Sequence, residues 1–273
     1  MTRFVVAPQW QGSPSARAMR LIDGADAIAG DLPRSALSRI DVPAEAGESL
    51  GSGIRRFSTL LRVRDTISAA LGGSDDPAVV VGGDCSVAIP AVAHAAARHP
   101  SLAVVWFDAH GDLHTTETSP SGALAGMALR VLTSPSPFLP SPVIATDRVV
   151  LAGARSLDDA EAAHLDAGDA PRPRRIGVDA LADPDALADL VVATGADAVY
   201  VHVDLDVLDP GSIEGTLEPV PFGLAPAALT EAIVRLRRRL PLVGASLAGF
   251  APASPEGAVA DLGTILRVVG ALA

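Results

Sequence analysis

Three short segments hold most of the residues able to do chemistry. The first is Gly82-Gly83-Asp84-Cys85-Ser86, with the chain's single cysteine. The second is Asp108-Ala109-His110-Gly111-Asp112-Leu113-His114. The third runs His202-Val203-Asp204-Leu205-Asp206-Val207-Leu208-Asp209-Pro210. Alternate residues of an extended chain share a face. The spacing therefore predicts Asp108, His110 and Asp112 on one side, and His202, Asp204 and Asp206 likewise. Carboxylates gathered in one place repel one another, and bound cations relieve that repulsion. One acidic loop alone is ordinarily a solvated turn or a helix cap, which is the reading given to Asp209 before Pro210. Two acid-rich segments, one with an interposed histidine, point instead to a two-metal site.

Something must bring these segments together. Short apolar runs predict strands at 4–7, 78–81, 102–107, 148–152, 198–203 and 245–250. Near-continuous apolarity suits strands buried on both faces of a parallel sheet. Helical patterns are expected near 15–29, 58–72, 86–98, 122–132, 157–167, 179–193, 226–239 and 257–271. Alternation of this kind reads as an α/β fold. In open parallel sheets ligands sit beyond the carboxyl ends of the strands, where all three segments fall. The Pro- and Ser-rich stretch 118–122 is expected to line the site, and 134–142 to be plain surface. No internal repeat or linker interrupts the chain, so one domain over 1–273 is expected.

Composition removes several alternatives. The chain has 273 residues, 49% of them hydrophobic and 3% aromatic, so its core must be built from Ala, Val and Leu. A net charge of −11 argues against nucleic-acid or anionic-membrane partners. No stretch approaches the ~18 apolar residues of a membrane span, and no secretory signal opens the sequence. A cytoplasmic location is expected. The single Cys forbids disulfides within the chain. All 21 basic residues are Arg, which excludes a Schiff-base lysine and the phosphate-binding lysine of P-loop proteins.

The three segments, in this order, resemble the signatures of the ureohydrolases: arginases, agmatinases and formimidoylglutamases. The family patterns are GGDHS, DAHxDx and SxDxDxxDP; here they read GGDCS, DAHGDL and HVDLDVLDP. The resemblance implies a three-layer αβα fold with an eight-stranded, mostly parallel sheet, as in the arginase/deacetylase fold. It also implies two Mn²⁺ per chain. Cys85, Asp108, Asp112 and Asp204 would hold one; His110, Asp108, Asp204 and Asp206 would hold the other. Asp108 and Asp204 would bridge. Oxygen-rich ligation suits Mn²⁺, and such a pair lowers the pKa of a bound water.

The departures from the family concern the substrate. Cys85 stands where the family has a His ligand; it is either a thiolate ligand or a buried, inert Cys. The position of the arginases' proton-shuttling His is Ala125, which carries no proton, and His114 is the nearest ionisable group. The Glu that pairs with the guanidinium is replaced by Gly249. Glu218 is either its substitute from the opposite wall or an exposed loop residue. By the same resemblance Asp158 would hold an α-ammonium, while Ser121 and His114 would contact a carboxylate. These features favour a small amino-acid substrate. They fit the branch of the family that serves antibiotic biosynthesis by cleaving Nω-hydroxy-L-arginine to hydroxyurea and L-ornithine. The alternatives are an arginase, agmatinase or formimidoylglutamase with altered proton transfer, or a metal-binding pseudoenzyme. A monomer is expected, since the chain ends directly after its last helix.

Overall fold

The computed structural model describes residues 2–166, 168 and 171–273. Eight parallel strands form one sheet: β1 (Arg3–Ala7), β2 (Leu37–Arg39), β3 (Ala78–Gly82), β4 (Leu102–Phe107), β5 (Val149–Ala152), β6 (Arg174–Ile176), β7 (Ala198–Asp204) and β8 (Leu242–Ala248). Their order across the sheet is β2-β1-β3-β8-β7-β4-β5-β6. Every pairing among them is parallel, so the sheet is wholly rather than mostly parallel.

Between the strands run α1 (Arg20–Gly30), α2 (Phe57–Gly72), α3 (Ala88–Arg98), α4 (Ala128–Thr133), α5 (Asp159–Leu165), α6 (Ala186–Val192), α7 (Pro226–Arg239) and α8 (Pro255–Leu272). Strand side chains alternate between two cores. Val6, Val81, Val105, Val201 and Leu247 face α1, α6, α7 and α8. Val5, Val80, Val104, Trp106 and Tyr200 face α2, α3 and α4. This is the three-layer arrangement that apolar-on-both-sides strands require.

Several elements differ from expectation. β2 and β6 are edge strands of three residues each, partly exposed, with no apolar run to announce them. The helix expected at 15–29 begins only at Arg20. Those at 122–132 and 179–193 start late, with the 3₁₀ turns Ala125–Met127 and Ala180–Ala182 preceding the short helices α4 and α6. The last strand lies earlier than 245–250, because Gly249 at φ +86° turns the chain out of the sheet. The 134–142 segment is not plain surface. Phe138 is buried and meets Phe57 edge-on, with ring centroids 6.3 Å apart.

Candidate active site

The central strands β3, β8, β7 and β4 open at their carboxyl ends into one cleft of about 760 Å³, counting its mouth. Its walls include Cys85, Asp108, His110, Asp112, His114, Ser121, Ala125, Asp204, Asp206, Glu218 and Gly249. That size suits a small molecule. Asp158 does not line the cleft, although it touches a residue that does.

Cys85 owes its position to the two glycines and the acid before it. A side chain at Gly83 would fall 1.5 Å from the Gln9 carbonyl, and one at Gly82 would strike Val87. Asp84 lines the cleft, but its carboxylate is taken up by the fold. It accepts from the backbone N–H of Ser86 at 3.1 Å and of Gly12 at 2.9 Å, and from Gln9 Nε2 at 3.1 Å. It thereby caps the 3₁₀ turn Cys85–Val87 and clamps the loop after β1 against it. Cys85 itself is buried and donates its thiol to Asp204 Oδ2 at 2.7 Å.

The aspartates converge, but not by strand alternation. β4 ends at Phe107 and the chain bends. Asp112 sits in the left-handed region at φ +53°, a conformation Asp tolerates better than most residues. Asp204 ends β7, and the turn Leu205–Val207 folds Asp206 back so that its N–H donates to Asp204 Oδ1 at 3.0 Å. Asp206 Oδ1 also accepts from Ala109 N at 3.0 Å, tying the second segment to the third. Behind it, Arg155 donates to the carbonyls of Gly153, Asp206, Val207, Leu208, Val220 and Pro221, so one guanidinium anchors the loop that ends the third segment.

Electrostatics suit this cluster to a cation. Asp108, Asp112, Asp204 and Asp206 are all buried. Burial first, and mutual repulsion second, push Asp204 up to about 7 and Asp206 up to about 6. Asp112 is driven well above the usual carboxylate range, and its Oδ2 has no hydrogen-bond partner. Burial also raises the Cys85 thiol. His110 Nδ1 lies 3.0 Å from Asp206 Oδ2 and 3.4 Å from Asp108 Oδ1. Burial works against its charge, yet the two carboxylates prevail and raise it to about 12. A protonated imidazole thus supplies one positive charge where four acids meet. The orphaned carboxylate oxygen and the suppressed ionisation both fit a divalent metal, and the O, N and S donors are a workable ligand set. Asp108, His110 and Asp206 offer atoms within 4.8 Å of one another, as do Cys85, Asp108 and His202.

The substrate-side residues fall into two groups. His114, Ser121 and Glu218 line the cleft, and Glu218 is exposed there. Asp158 is already engaged. Its Oδ1 accepts from the N–H groups of Ala160 and Glu161, capping α5, and Oδ2 pairs with His114 Nε2 at 3.1 Å. Ala125 and Gly249 complete the walls. A side chain at Gly249 would lie 2.2 Å from Asp204 Oδ1, so only glycine fits against that carboxylate. Asp209 is the turn residue expected, accepting from Gly211 N at 2.9 Å and Gly223 N at 3.1 Å.

Two residues, one lining the cleft and one buried in the sheet, gained no site role from the sequence. Glu161 is buried, lines the cleft and accepts from Leu113 N at 3.1 Å. The Asp158-x-x-Glu161 capping-box spacing was the available signal. His202, read only as a member of an alternating segment, is wholly buried; burial lowers it to about 3.

Comparison with known proteins adds a family to this geometry. A family model described as the arginase family matches residues 27–266. The chain is 34% identical over 216 residues to the N(omega)-hydroxy-L-arginine amidinohydrolase of Streptomyces lavendulae, covering 77% of this chain and 74% of that protein. It is 32% identical over 199 residues to an arginase of Staphylococcus aureus (strain MRSA252), covering 69% of this chain and 65% of that one. The native arginase of Bacillus caldovelox superposes with a TM-score of 0.82 at 26% identity, over 99% of this chain and 97% of that chain. No helix among the described residues is long and apolar enough to cross a membrane.

Proposed function

The chain belongs to the arginase family of metal-dependent hydrolases acting on guanidino carbon–nitrogen bonds, and from that premise we propose that it holds two Mn²⁺ and cleaves Nω-hydroxy-L-arginine to hydroxyurea and L-ornithine. Cys85, Asp108, His110, Asp112, Asp204 and Asp206 would hold the metals. When bound, the ions supply acidification of the attacking water and neutralise developing negative charge.

The observation that carries the substrate is the cleft wall itself. At Ala125 there is no group to protonate a leaving amine, and at Gly249 the close approach to Asp204 leaves no room for a guanidinium-binding carboxylate. Arginine needs both kinds of help. A hydroxyguanidine is less basic and carries its own exchangeable N–OH proton. Water adds to the guanidino carbon, the bond to the ornithine nitrogen breaks, and that nitrogen takes up a proton. The substrate's own hydroxyl supplies the relay that Ala125 cannot. Glu218, on the opposite wall, would bind the hydroxyguanidino end. His114 and Ser121 would take the α-carboxylate, and Asp158, beside His114, the α-ammonium. The likeness to the Streptomyces lavendulae amidinohydrolase supports the same substrate.

The test is to incubate Mn²⁺-loaded protein with arginine, hydroxyarginine, agmatine and formimidoylglutamate and quantify the products. Hydroxyurea and ornithine should form far faster than urea. Equal turnover of arginine would mean that His114 or Glu218 moves the proton, and the protein would then be an arginase. Two bound metals with no turnover of any of the four would make it a binding protein.

A further inference from the structure

His202 is the one buried histidine whose ring the proposed metal ligands leave unused. It projects from β7 on the same side as Asp204, and its side chain is fully enclosed. Trp106, its register partner on β4, stacks against it with ring centroids 3.8 Å apart and planes tilted by 33°. Nδ1 is spoken for by Ser246 Oγ, 2.7 Å away on β8. Nε2 has no hydrogen-bond partner at all. A buried imidazole nitrogen without a partner is costly and calls for an explanation.

The surroundings supply one. A ring nitrogen of His202, Cys85 Sγ and an oxygen of Asp108 all lie within 4.8 Å of one another. That is the spacing of atoms sharing one ion at the usual metal–ligand lengths of about 2.0–2.4 Å. With the proton on Nδ1, donated to Ser246, Nε2 keeps its lone pair. A ligating histidine commonly has its other nitrogen held in this way. Trp106 braces the ring from one side, and its Nε1–H donates to Asp108 Oδ2 at 3.1 Å, orienting the neighbouring carboxylate as well.

We propose that His202 is a metal ligand through Nε2, sharing one ion with Cys85 and Asp108. This rests on the metal centre of the proposed function and adds a second nitrogen donor to the six expected ligands. The subsite becomes a thiolate–imidazole–carboxylate set built from β3, β7 and β4, and Ser246 of β8 is its orienting partner. The second ion keeps His110 as its imidazole.

The test uses the whole chain, uniformly labelled with ¹⁵N-histidine and loaded with ¹¹³Cd²⁺, a probe that tolerates sulfur, nitrogen and oxygen donors. Scalar coupling of cadmium to two different imidazole nitrogens is expected, one from His110 and one from His202. His202→Ser should remove one coupling while retaining the other, and Ser246→Ala should weaken the His202 coupling without abolishing it. A crystal structure of the unmodified protein grown with Co²⁺ should place the ion about 2.0–2.3 Å from Nε2. Two bound ions with only His110 coupled, or an ion more than about 3 Å from Nε2, overturns this inference and leaves the proposed function standing. A protein that binds no divalent ion overturns both together. The crystallographic readout does not depend on any variant folding.

Discussion

The Asp158 carboxylate serves two masters. One oxygen caps α5 through the N–H groups of Ala160 and Glu161, and the other lies 3.1 Å from His114 Nε2. The capping role and the proposed substrate role are therefore separable at this residue. Asn caps as well as Asp does, so Asp158→Asn should keep the melting temperature while losing the charge. Because a charge-assisted bond is worth ~1.5–3 kcal/mol, KM for the amino-acid substrate should rise by about 10- to 100-fold. Asp158→Ala should add a stability loss of about 0.5–2 kcal/mol from the cap. If Asp158→Asn leaves KM unchanged, the residue serves only the helix.

Restoring a proton carrier should change substrate preference. Ala125 begins a 3₁₀ turn and lines the cleft, and its backbone N–H is already held by Gly12 O at 3.0 Å. Ala125→His therefore leaves the backbone bonding intact. General acid–base assistance is typically worth ~10²–10⁴-fold. Arginine turnover should rise by up to about that factor and hydroxyarginine turnover much less, narrowing the ratio of their kcat/KM values. An unchanged ratio would show that proton delivery is not what separates the two substrates.

Gly249 should resist every side chain, including the family's own. At φ +86°, with Asp204 Oδ1 2.2 Å from where a Cβ would stand, Gly249→Ala must displace a proposed metal ligand. Backbone strain alone costs ~1–3 kcal/mol at such a position. Metal content measured by mass spectrometry should fall along with the melting temperature. Gly249→Glu should do worse, rather than recover arginase activity.

Metal binding should release protons. In the metal-free chain Asp204 and Asp206 titrate near 7 and 6, raised by burial, so near neutrality each ion displaces protons on entering. Carboxylates raised above their unfolded value stabilise the fold fully below about pH 4. That contribution is lost as pH climbs through 6 and 7. His110, raised to about 12, also contributes most at low pH and loses its share as pH climbs from its unfolded value toward 12. Both terms have the same sign. The melting temperature of chelator-treated protein should fall between pH 5 and 9, while the gain from added Mn²⁺ should grow. Calorimetry in two buffers of different ionisation enthalpy would count the protons; a count of zero at pH 6.5 contradicts the scheme.

The six longer strands were readable because their residues are apolar on both faces. β2 (Leu-Ser-Arg) and β6 (Arg-Arg-Ile) lie at the sheet edges and carry no such pattern. The proposed ligands were readable because they follow those strands at once. What brings them together was not. Nothing local announces the left-handed turn at Asp112, since many residues in loops tolerate other conformations equally well. His202 is visible at the head of the third segment, but nothing local marks it as a ligand; that role depends on Cys85, 117 positions away. Gly249 read as a missing Glu, whereas its neighbour in space, Asp204, explains why nothing larger stands there.

The strand order has a consequence for how this chain acquires its site. β8, last in sequence, lies between β3 and β7 and is the seam of the sheet. Until it inserts, β2-β1-β3 and β7-β4-β5-β6 are two separate half-sheets, with Cys85 on one and the four clustered aspartates on the other. A chain whose last strand is still unpaired therefore carries its one thiol on one fragment and the clustered acids on the other, so the proposed Cys85 subsite is incomplete. Pairing so distant in sequence is slow to form, so filling of the proposed Cys85 subsite would report that the two halves of the sheet have closed.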